Sequence, residues 1–484
     1  MWVPTALHPF ATFTPQLGRR QPAAINVDKS HVLCYLGEDL WLVRNSEASA
    51  RRPGGSGSPE TWTCDLRLFE LLVRYPAGMR MLSVVFGAGL AASVTLLGQS
   101  TTPTSALPRL IVETGEVERN EAWVHLQLPP QVRGADLQLR LEDGGDVVPL
   151  QIGPYREAWA VLPRLPAEST RVFRIEPALR PPPVDRVTAV RDVSHVRVAI
   201  DGRPVFSYVG EPRPLPPGVD EVFTRGGYIH PVLTPAGRRV TEDYPPNHRH
   251  HHGIWAAWTR TRFDGRAPDF WNMADRTGTV EFERLSRTWS GPLTAGFDTR
   301  HRYMDLSATT PTTVLLEDWR VTAYAWPSTD RPLHVFDLDI TQMLTAAQPL
   351  DLPAYRYGGV GLRGRHAWDG AANASVLTSS GRARATGHGT RATWMTIGGL
   401  VDGQRVGIAM LSHPDNVHSP QPVRIHPTEP FLNFAPQQAG AFRLRPGEPF
   451  RQRYRFVVFD GAPDAARLDA IWQAWATPVR ARVE

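Results

Sequence analysis

The sequence predicts an all-β protein, in which a small N-terminal β-sandwich precedes a large antiparallel β-sandwich that ends in a helix. Apolar and polar residues alternate in many short segments, which is the pattern of strands with one buried face. No long amphipathic helix separates these segments, and this argues against a parallel α/β fold. Helical spacing occurs only at residues 464–475, where four apolar residues share one side: Leu468, Ile471, Trp472 and Trp475.

The smaller β-sandwich is predicted over residues 107–180. Val124, Leu126 and Leu128 alternate with polar neighbours, and residues 137–141 do the same before an Asp-Gly-Gly-Asp turn at 143–146. Further short strands are expected at residues 147–152, 159–162 and 172–175. Three consecutive prolines at 181–183 then interrupt the pattern, as is typical of a linker.

The larger domain is predicted over residues 190–480. It opens with a hairpin in which residues 196–200 turn at Asp201-Gly202 and return through residues 205–209. Strand-like segments recur at residues 313–326, 333–340, 394–397, 406–411 and 453–459. The helix at the C-terminus is expected to close this sandwich.

The first 106 residues are predicted to lie outside both domains. Met79-Arg80 followed by an uncharged apolar run at 82–98 and small residues at 104–106 predicts a signal peptide over 79–106. A retained membrane anchor and a buried core helix are the alternatives. Residues 1–78 are then a poorly ordered leader, which a misplaced start codon would explain. Both cysteines, Cys34 and Cys64, fall in this leader, so an exported, periplasmic or extracellular product would contain no disulfide.

Charge and motif content exclude several function classes. The formal net charge is +5 and the basic residues are scattered, which argues against nucleic-acid binding. The glycine-rich segment 357–364 lacks the lysine and the following helix of a phosphate-binding loop. No nucleophile-elbow motif is present. Apart from residues 82–98, no apolar run is long enough to span a bilayer, so no integral membrane domain is expected.

The densest chemical feature is a run of histidines at 248–252, interrupted only by Arg249. In an extended segment His248, His250 and His252 would share one face, and imidazole is a common metal ligand. His248 and His250 are therefore the candidate ligands of a divalent metal, with Glu242, Asp243 and Asp269 as nearby carboxylates. The alternative is a polar cleft without metal, in which each ring is hydrogen-bonded.

A second group of polar residues lies in the loop after the predicted strand 406–411, beginning at His413. Loops carried on a rigid sandwich are common positions for functional residues, although a simple turn would also explain this sequence. The candidate catalytic residues are His248, His250, His251, Asp269 and His413. The candidate substrate-binding residues are His230, Trp255, Trp271, Arg363 and Arg424, with arginines for polar or anionic groups and tryptophans for stacking on a sugar ring.

Several motifs resemble a bacterial family named methane oxygenase PmoA. They are YIHPVLTPAGRRVT at 228–241, DYPPNHRHHHGIW at 243–255, YGGVGLRG at 357–364, HPDN at 413–416 and YRFVVFDG at 454–461. The family's histidine motif is similar to D-H-P-H-H-R-G, so His248, His250 and His251 match it, whereas Asn247, Arg249 and His252 depart from it. Phe459 replaces a histidine near the closing motif. The resemblance implies a galactose-mutarotase-like β-supersandwich.

Two functions are consistent with this sequence. The first is an exported carbohydrate-active enzyme, a hydrolase, lyase or isomerase that uses histidine and carboxylate acid–base chemistry, with a divalent metal as its one candidate cofactor. The second is a non-catalytic sugar-binding or structural module. Methane oxidation is not expected despite the family name, because the chain lacks the membrane-spanning segments that such an activity implies.

Overall fold

A computed structural model describes residues 107–484, apart from 135, 146, 180–183 and 328–330, together with three strands near the N-terminus. The chain divides into two compact units, Met1–Pro103 and Thr104–Glu484. In the first unit, an antiparallel sheet contains β1 (Ala24–Asp28), β2 (His31–Leu36) and β3 (Asp39–Arg44). The predicted signal peptide and most of the predicted leader lie outside the described residues.

The second unit begins with a seven-stranded antiparallel sheet in the order β28-β4-β9-β6-β7-β8-β5. Alternating apolar residues such as Val124 and Leu126 of β5 enter its core, while their neighbours face outward. The last strand of the chain, β28, pairs with β4 and so returns the C-terminus to the first sheet. The strands are β4 (Arg109–Glu113), β5 (Ala122–Gln127), β6 (Leu137–Leu141), β7 (Val147–Ile152), β8 (Glu157–Leu162), β9 (Thr170–Pro177) and β28 (Arg480–Val483).

Two eight-stranded antiparallel sheets follow, and side chains from both form a shared core. The first has the order β10-β11-β12-β13-β14-β20-β25-β24. Its strands are β10 (Val187–Asp192), β11 (His195–Ile200), β12 (Arg203–Val209), β13 (Tyr228–Val232), β14 (Ile254–Ala257), β20 (Gly359–Arg363), β24 (Val423–Ile425) and β25 (Phe431–Phe434).

The second large sheet has the order β15-β16-β17-β18-β27-β23-β22-β21. Its strands are β15 (Gly278–Trp289), β16 (Thr294–Asp305), β17 (Thr312–Tyr324), β18 (Leu333–Leu344), β21 (Ala374–Thr378), β22 (Trp394–Val401), β23 (Gln404–Ser412) and β27 (Phe450–Asp460). A two-stranded ribbon, β19 (Leu350–Leu352) with β26 (Phe442–Leu444), lies beside these sheets.

The core between the two large sheets is formed by side chains from both. Ile254 and Leu362 from the first sheet and Trp319 and Phe456 from the second belong to the same buried cluster. This arrangement confirms the predicted all-β fold with large antiparallel sheets.

The C-terminal helix is also confirmed, as α2 (Ala465–Ala476), and α1 (Arg384–Gly387) is a single turn. Asp464 caps α2 by accepting a hydrogen bond from the Arg467 amide. Leu468, Ile471 and Trp475 bury one side of the helix, at the spacing that the sequence predicted. No helix among the described residues has the length and apolar character needed to cross a membrane.

Candidate functional site

The pairing of three strands brings distant segments to one edge of the first large sheet. β14 pairs antiparallel with β20, with Ile254 opposite Leu362, and β20 pairs antiparallel with β25, with Arg363 opposite Phe431. The start of β14, the end of β20 and the start of β25 therefore meet. The residues just before β14 are the histidine run, and those just before β25 include Glu429.

The histidine run forms a turn, and the extended conformation expected from the sequence is wrong. The Tyr244 amide donates to the carbonyl of His251, the His248 amide donates to that of Pro245, and the His251 amide donates to that of His248. A turn brings together residues three apart instead of two apart. The rings of His248 and His251 consequently stack with their centroids 4.6 Å apart.

His248, His251 and Glu429 form the strongest candidate metal site among the described residues. One ligand atom from each of them lies within 4.8 Å of the other two. His248 Nδ1 approaches Glu429 Oε2 at 2.8 Å without hydrogen-bond geometry, and the buried His251 Nδ1 has no partner. Two imidazoles and a carboxylate are a recognised zinc ligand set. His250, which the sequence suggested as a ligand, is replaced in this set by His251.

His250 and His426 surround this triad. The ring of His250 lies 4.6 Å from that of His251 and 5.5 Å from that of His248. The ring of His426 lies 6.1 Å from that of His248, and its Nδ1 accepts a hydrogen bond from the Glu429 amide. His250 is only half-buried, so it is the histidine of the run that could exchange a proton with a ligand at the open side of the site.

Arg363 holds the carboxylate of Glu429 in position. Its guanidinium is fully buried and donates from Nη1 to Glu429 Oε2 at 2.9 Å. Nη2 donates to Asp369 Oδ1 at 2.9 Å and to Asn247 Oδ1 at 3.1 Å. Both terminal nitrogens are thus used within the protein, so Arg363 is not free to bind a substrate as the sequence suggested, and it acts through Glu429.

The electrostatics of the triad favour a neutral His251 beside an ionised Glu429. Burial, together with the neighbouring histidines, holds the pKa of His251 well below its usual range and lowers the pKa of His250 to about 3. Burial alone would raise the pKa of Glu429, but His248, His426 and Arg363 outweigh it and lower that pKa to about 2. Neutral imidazole nitrogens and a carboxylate are the protonation states that a metal requires.

The last histidine of the run, His252, forms a second histidine–carboxylate pair with Asp243. His252 Nδ1 is 2.6 Å from Asp243 Oδ1, and the hydroxyl of Tyr228 donates to Asp243 Oδ2 at 2.8 Å. His230, expected to bind substrate, is instead buried and its Nδ1 lies 3.0 Å from Thr241 Oγ1. Burial lowers the pKa of His230 to about 4. These groups support the histidine turn from within the sheet.

The two tryptophans expected to stack on a sugar are buried. Trp255 and Trp271 are 0% and 2% exposed, with ring centroids 5.1 Å apart. Trp255 lies 5.0 Å from the ring of His251, which also stacks on Phe431 at 4.7 Å. The tryptophans therefore form the apolar floor that holds His251, and they present almost no surface on which a ligand could stack.

Asp269 has a structural role, which corrects its assignment as a catalytic residue. Its Oδ1 accepts hydrogen bonds from the amides of Trp271 and Asn272 at 3.0 and 2.8 Å. Its Oδ2 accepts from the hydroxyl of Thr259 and the side-chain amide of Asn272 at 2.8 and 2.9 Å. Both oxygens are occupied, so the carboxylate organises the loop that carries Trp271.

His413 was predicted to be catalytic together with the histidine run, but it belongs to a different part of the molecule. It follows β23 in the second large sheet, and its ring packs edge-on against Trp475 of α2 at 4.8 Å. Its Nε2 lies 2.9 Å from Arg453 Nη1. No contact among the described residues joins it to the triad.

Arg424 and a pair of tyrosines lie beyond the tryptophan floor. Arg424 is half-buried on β24, and its Nη1 donates to the carbonyl of Ile425 while its Nε has no partner. The ring of Tyr357 is 5.4 Å from Trp271 and 4.9 Å from that of Tyr355. Tyr355 lines a cavity of about 580 Å³ with Arg260 and Arg262.

A family model matches residues 195–473, more than half of the chain, and its description is "Family of unknown function (DUF6807)". The chain belongs to DUF6807. This finding overturns the resemblance to methane oxygenase PmoA, because the family that matches is a different one and carries no assigned function. No curated protein matches the chain by sequence.

Two solved structures show a distant likeness to this DUF6807 protein. An α-mannosidase from Enterococcus faecalis V583 is 10% identical with a TM-score of 0.37, over 79% of this chain and 46% of the mannosidase. A glycosyl hydrolase family 38 protein from Enterococcus faecalis is 8% identical with a TM-score of 0.35, over 79% and 48%. The DUF6807 chain spans about half the length of each, and likeness at this level carries no argument about function.

Sequence reasoning missed Glu429 and His426, the residues that complete the site in this DUF6807 protein. Both lie in the segment His426-Pro427-Thr428-Glu429, in which a histidine and a carboxylate are three residues apart. That spacing in a loop between two short strands was the available signal. It was weak, because nothing local relates the segment to the histidine run.

Proposed function

We propose that this DUF6807 protein is a metal-dependent enzyme acting on a carbohydrate or a similar hydroxyl-rich molecule. The observation that carries the proposal is the convergence of His248, His251 and Glu429, whose ligand atoms lie within 4.8 Å of one another. The support is geometric, since the three residues come from two separate segments and are held by buried neighbours.

The open side of the site favours catalysis over a purely structural metal. Structural zinc is usually enclosed by four protein ligands, whereas catalytic zinc has three and a position left for water or substrate. Here three ligands converge, and the side chain of His248 is 33% exposed and that of Glu429 13% exposed. The fourth position would therefore face solvent.

The chemistry follows from the residues around that position. A divalent metal lowers the pKa of a bound water and polarises a carbonyl or hydroxyl oxygen. His250 is next to the triad, with its ring 4.6 Å from that of His251, so it is placed to accept a proton from an attacking hydroxyl and to return it to the departing oxygen. Arg363 keeps Glu429 ionised and fixed in place.

A carbohydrate is the proposed substrate because a polar cavity lies at the end of β14 that is opposite to the triad. Its volume is about 580 Å³, and it presents arginine and tyrosine donors beside the half-buried ring of Tyr355. Small-molecule sites are commonly concave, with a few convergent polar groups that fix orientation. The aromatic surface available to a sugar is thus Tyr355, and not the buried tryptophans.

Calorimetric titration of the chelator-treated protein with Zn²⁺ and with Mn²⁺ tests the metal site. We expect one high-affinity site in the wild type and a loss of affinity of about 10-fold or more in His251→Gln and Glu429→Gln. His195→Gln is the matched control, because His195 lies on β11 and contacts Ser194 instead of the triad. Equal affinity in all four proteins would contradict the proposal.

A panel of oligosaccharides then tests the reaction. Turnover should disappear on chelation, return on addition of the metal, and be absent in Glu429→Gln. A sugar that binds without turnover under every metal condition would indicate the non-catalytic binding module instead.

A further inference from the structure

Three arginines without ion pairs gather around the tyrosine pair. The guanidinium of Arg260 lies 5.4 Å from the ring centre of Tyr355, and that of Arg356 lies 5.8 and 5.5 Å from the ring centres of Tyr355 and Tyr357. Arg424 adds a third charge, close enough to Arg356 and Glu429 to be affected by both. Within the part of the chain that the structure describes, none of these arginines has a carboxylate partner within 4.0 Å.

Arginines outnumber carboxylates around the cavity that Tyr355 lines, once Arg356, which lies beside that tyrosine, is included. The cavity is lined by Arg260 and Arg262, and its two carboxylates are Asp269 and Asp275. Asp269 is buried and both of its oxygens accept hydrogen bonds from neighbouring groups, which leaves Asp275 as the exposed acid. Like charges that share a cavity repel one another, and an anion that enters between them removes that repulsion and gains charge-assisted hydrogen bonds.

Two further observations mark this as a built site. Arg260 has a φ of 52°, in the left-handed region that a non-glycine residue adopts only when its surroundings impose it. Burial would raise the pKa of Tyr355, but Arg260, Tyr357 and Arg356 outweigh that effect and lower it. The loop thus holds Arg260 beside Tyr355, and the positive charge of Arg260 contributes to the lowered pKa of that tyrosine.

The cavity and the metal triad are close enough for one extended substrate. Arg260 lies three residues beyond the end of β14 and His251 lies three residues before its start, so the two sites are at opposite ends of this strand. The aromatic series Tyr355, Tyr357, Trp271 and His251 connects them, with successive ring centres 4.9, 5.4 and 6.3 Å apart.

We propose that the cavity lined by Arg260 and Tyr355, with Arg356 at its side, binds the anionic group of an acidic saccharide. This inference rests on the proposed function and names its substrate class: an oligosaccharide that carries a carboxylate or a sulfate on a unit other than the one that reacts. Arginine recognises both a carboxylate and a sulfate by paired hydrogen bonds. The structure therefore indicates an anionic group, and the experiment below distinguishes the two.

Calorimetric titration of the full chain with defined trisaccharides tests the subsite. The anionic arms are trigalacturonate, a glucuronate-containing trisaccharide and a sulfated galactan trisaccharide, and the neutral arm is the methyl ester of trigalacturonate. We expect at least one anionic arm to bind, and to bind at least about tenfold more tightly than the ester. The arm that binds identifies carboxylate or sulfate. Failure of every anionic arm to exceed the ester overturns the proposal.

The double variant Arg260→Gln/Arg356→Gln localises the binding. It should weaken the anionic arm roughly tenfold or more, while Arg191→Gln/Arg197→Gln, which removes the same charge from the exposed residues of β10 and β11, should leave it unchanged. Far-UV circular dichroism verifies that both variants fold. Equal effects of the two double variants would assign the binding to net charge and overturn the subsite.

The same titration in the presence of chelator separates this proposal from the metal site. Binding of the anionic arm should persist, because arginines and not a metal hold the anion. Loss of binding on chelation would overturn the arginine subsite. Absence of Zn²⁺ binding with retained saccharide binding would refute the metal-dependent function and leave the subsite intact.

Discussion

Replacing Arg363 with methionine should destabilise this protein far more than an equivalent change at the surface. The guanidinium is fully buried and holds Glu429 and Asp369, whose side chains are only 13% and 23% exposed. Removing one partner of a buried ion pair costs about 3–5 kcal/mol, because the remaining charge stays desolvated. The residual exposure of Asp369 and its contact with His366 place the expected loss at about 3 kcal/mol.

Arg186→Met is the matched control. Arg186 donates from Nε and Nη2 to the two oxygens of Asp201 at 3.0 and 2.8 Å, but both side chains are 52% exposed. An exposed pair of this kind contributes about 0–1 kcal/mol. The two variants therefore lose similar hydrogen bonds and differ mainly in burial.

Urea denaturation at pH 7, followed by tryptophan fluorescence, measures both free energies of unfolding. The expected difference between the two variants is at least about 2 kcal/mol. Equal losses, or a loss below about 1 kcal/mol in Arg363→Met, would show that Arg363 is not the support of Glu429 described above. Arg363→Met should also weaken Zn²⁺ binding, since Glu429 loses the donor that orients it.

Three other predictions concern acid stability, Asp269 and the N-terminus. The pKa of His230 is about 4 in the folded state and about 6.5 when unfolded, so its contribution is complete above pH 6.5 and is lost as the pH falls towards 4. His230→Gln should reduce the pH 7 to pH 5 difference in unfolding free energy by about 2 kcal/mol, and an unchanged difference would contradict this. Asp269→Ala should destabilise the fold by about 2–3 kcal/mol in urea and leave Zn²⁺ affinity unchanged, because its carboxylate satisfies buried donors; weaker Zn²⁺ binding would return it to the site. If residues 79–106 are a signal peptide, N-terminal sequencing of the exported protein should give a chain beginning near Leu107, whereas a chain beginning at Met1 or Trp2 would refute it.

The strands and the C-terminal helix could be predicted because their signals are local. Two-residue alternation in β5 and the spacing of Leu468, Ile471 and Trp475 each lie within one element. Local patterns do not specify the partners of an edge strand. The return of β28 to pair with β4 was therefore not evident, since it joins residues from opposite ends of the second unit.

The histidine run was found from the sequence, but its geometry was not. Strand periodicity suggested that His248, His250 and His252 would act together, whereas backbone hydrogen bonds make a turn that pairs His248 with His251. Similarly, Trp255 and Trp271 were predicted to stack on a sugar, but both are buried. Whether a tryptophan faces a ligand or the core depends on what packs against it, and here Phe431 and Trp271 cover Trp255.

The sequence by itself determined the all-β class and the segment that supplies two of the three candidate ligands. Only the tertiary structure decided the third ligand, the support from Arg363 and the separation of His413. These depend on the register by which Ile254 faces Leu362 and Arg363 faces Phe431. Such register is fixed by the packing of whole sheets. It brings together residues that are far apart in the sequence and that no local pattern relates.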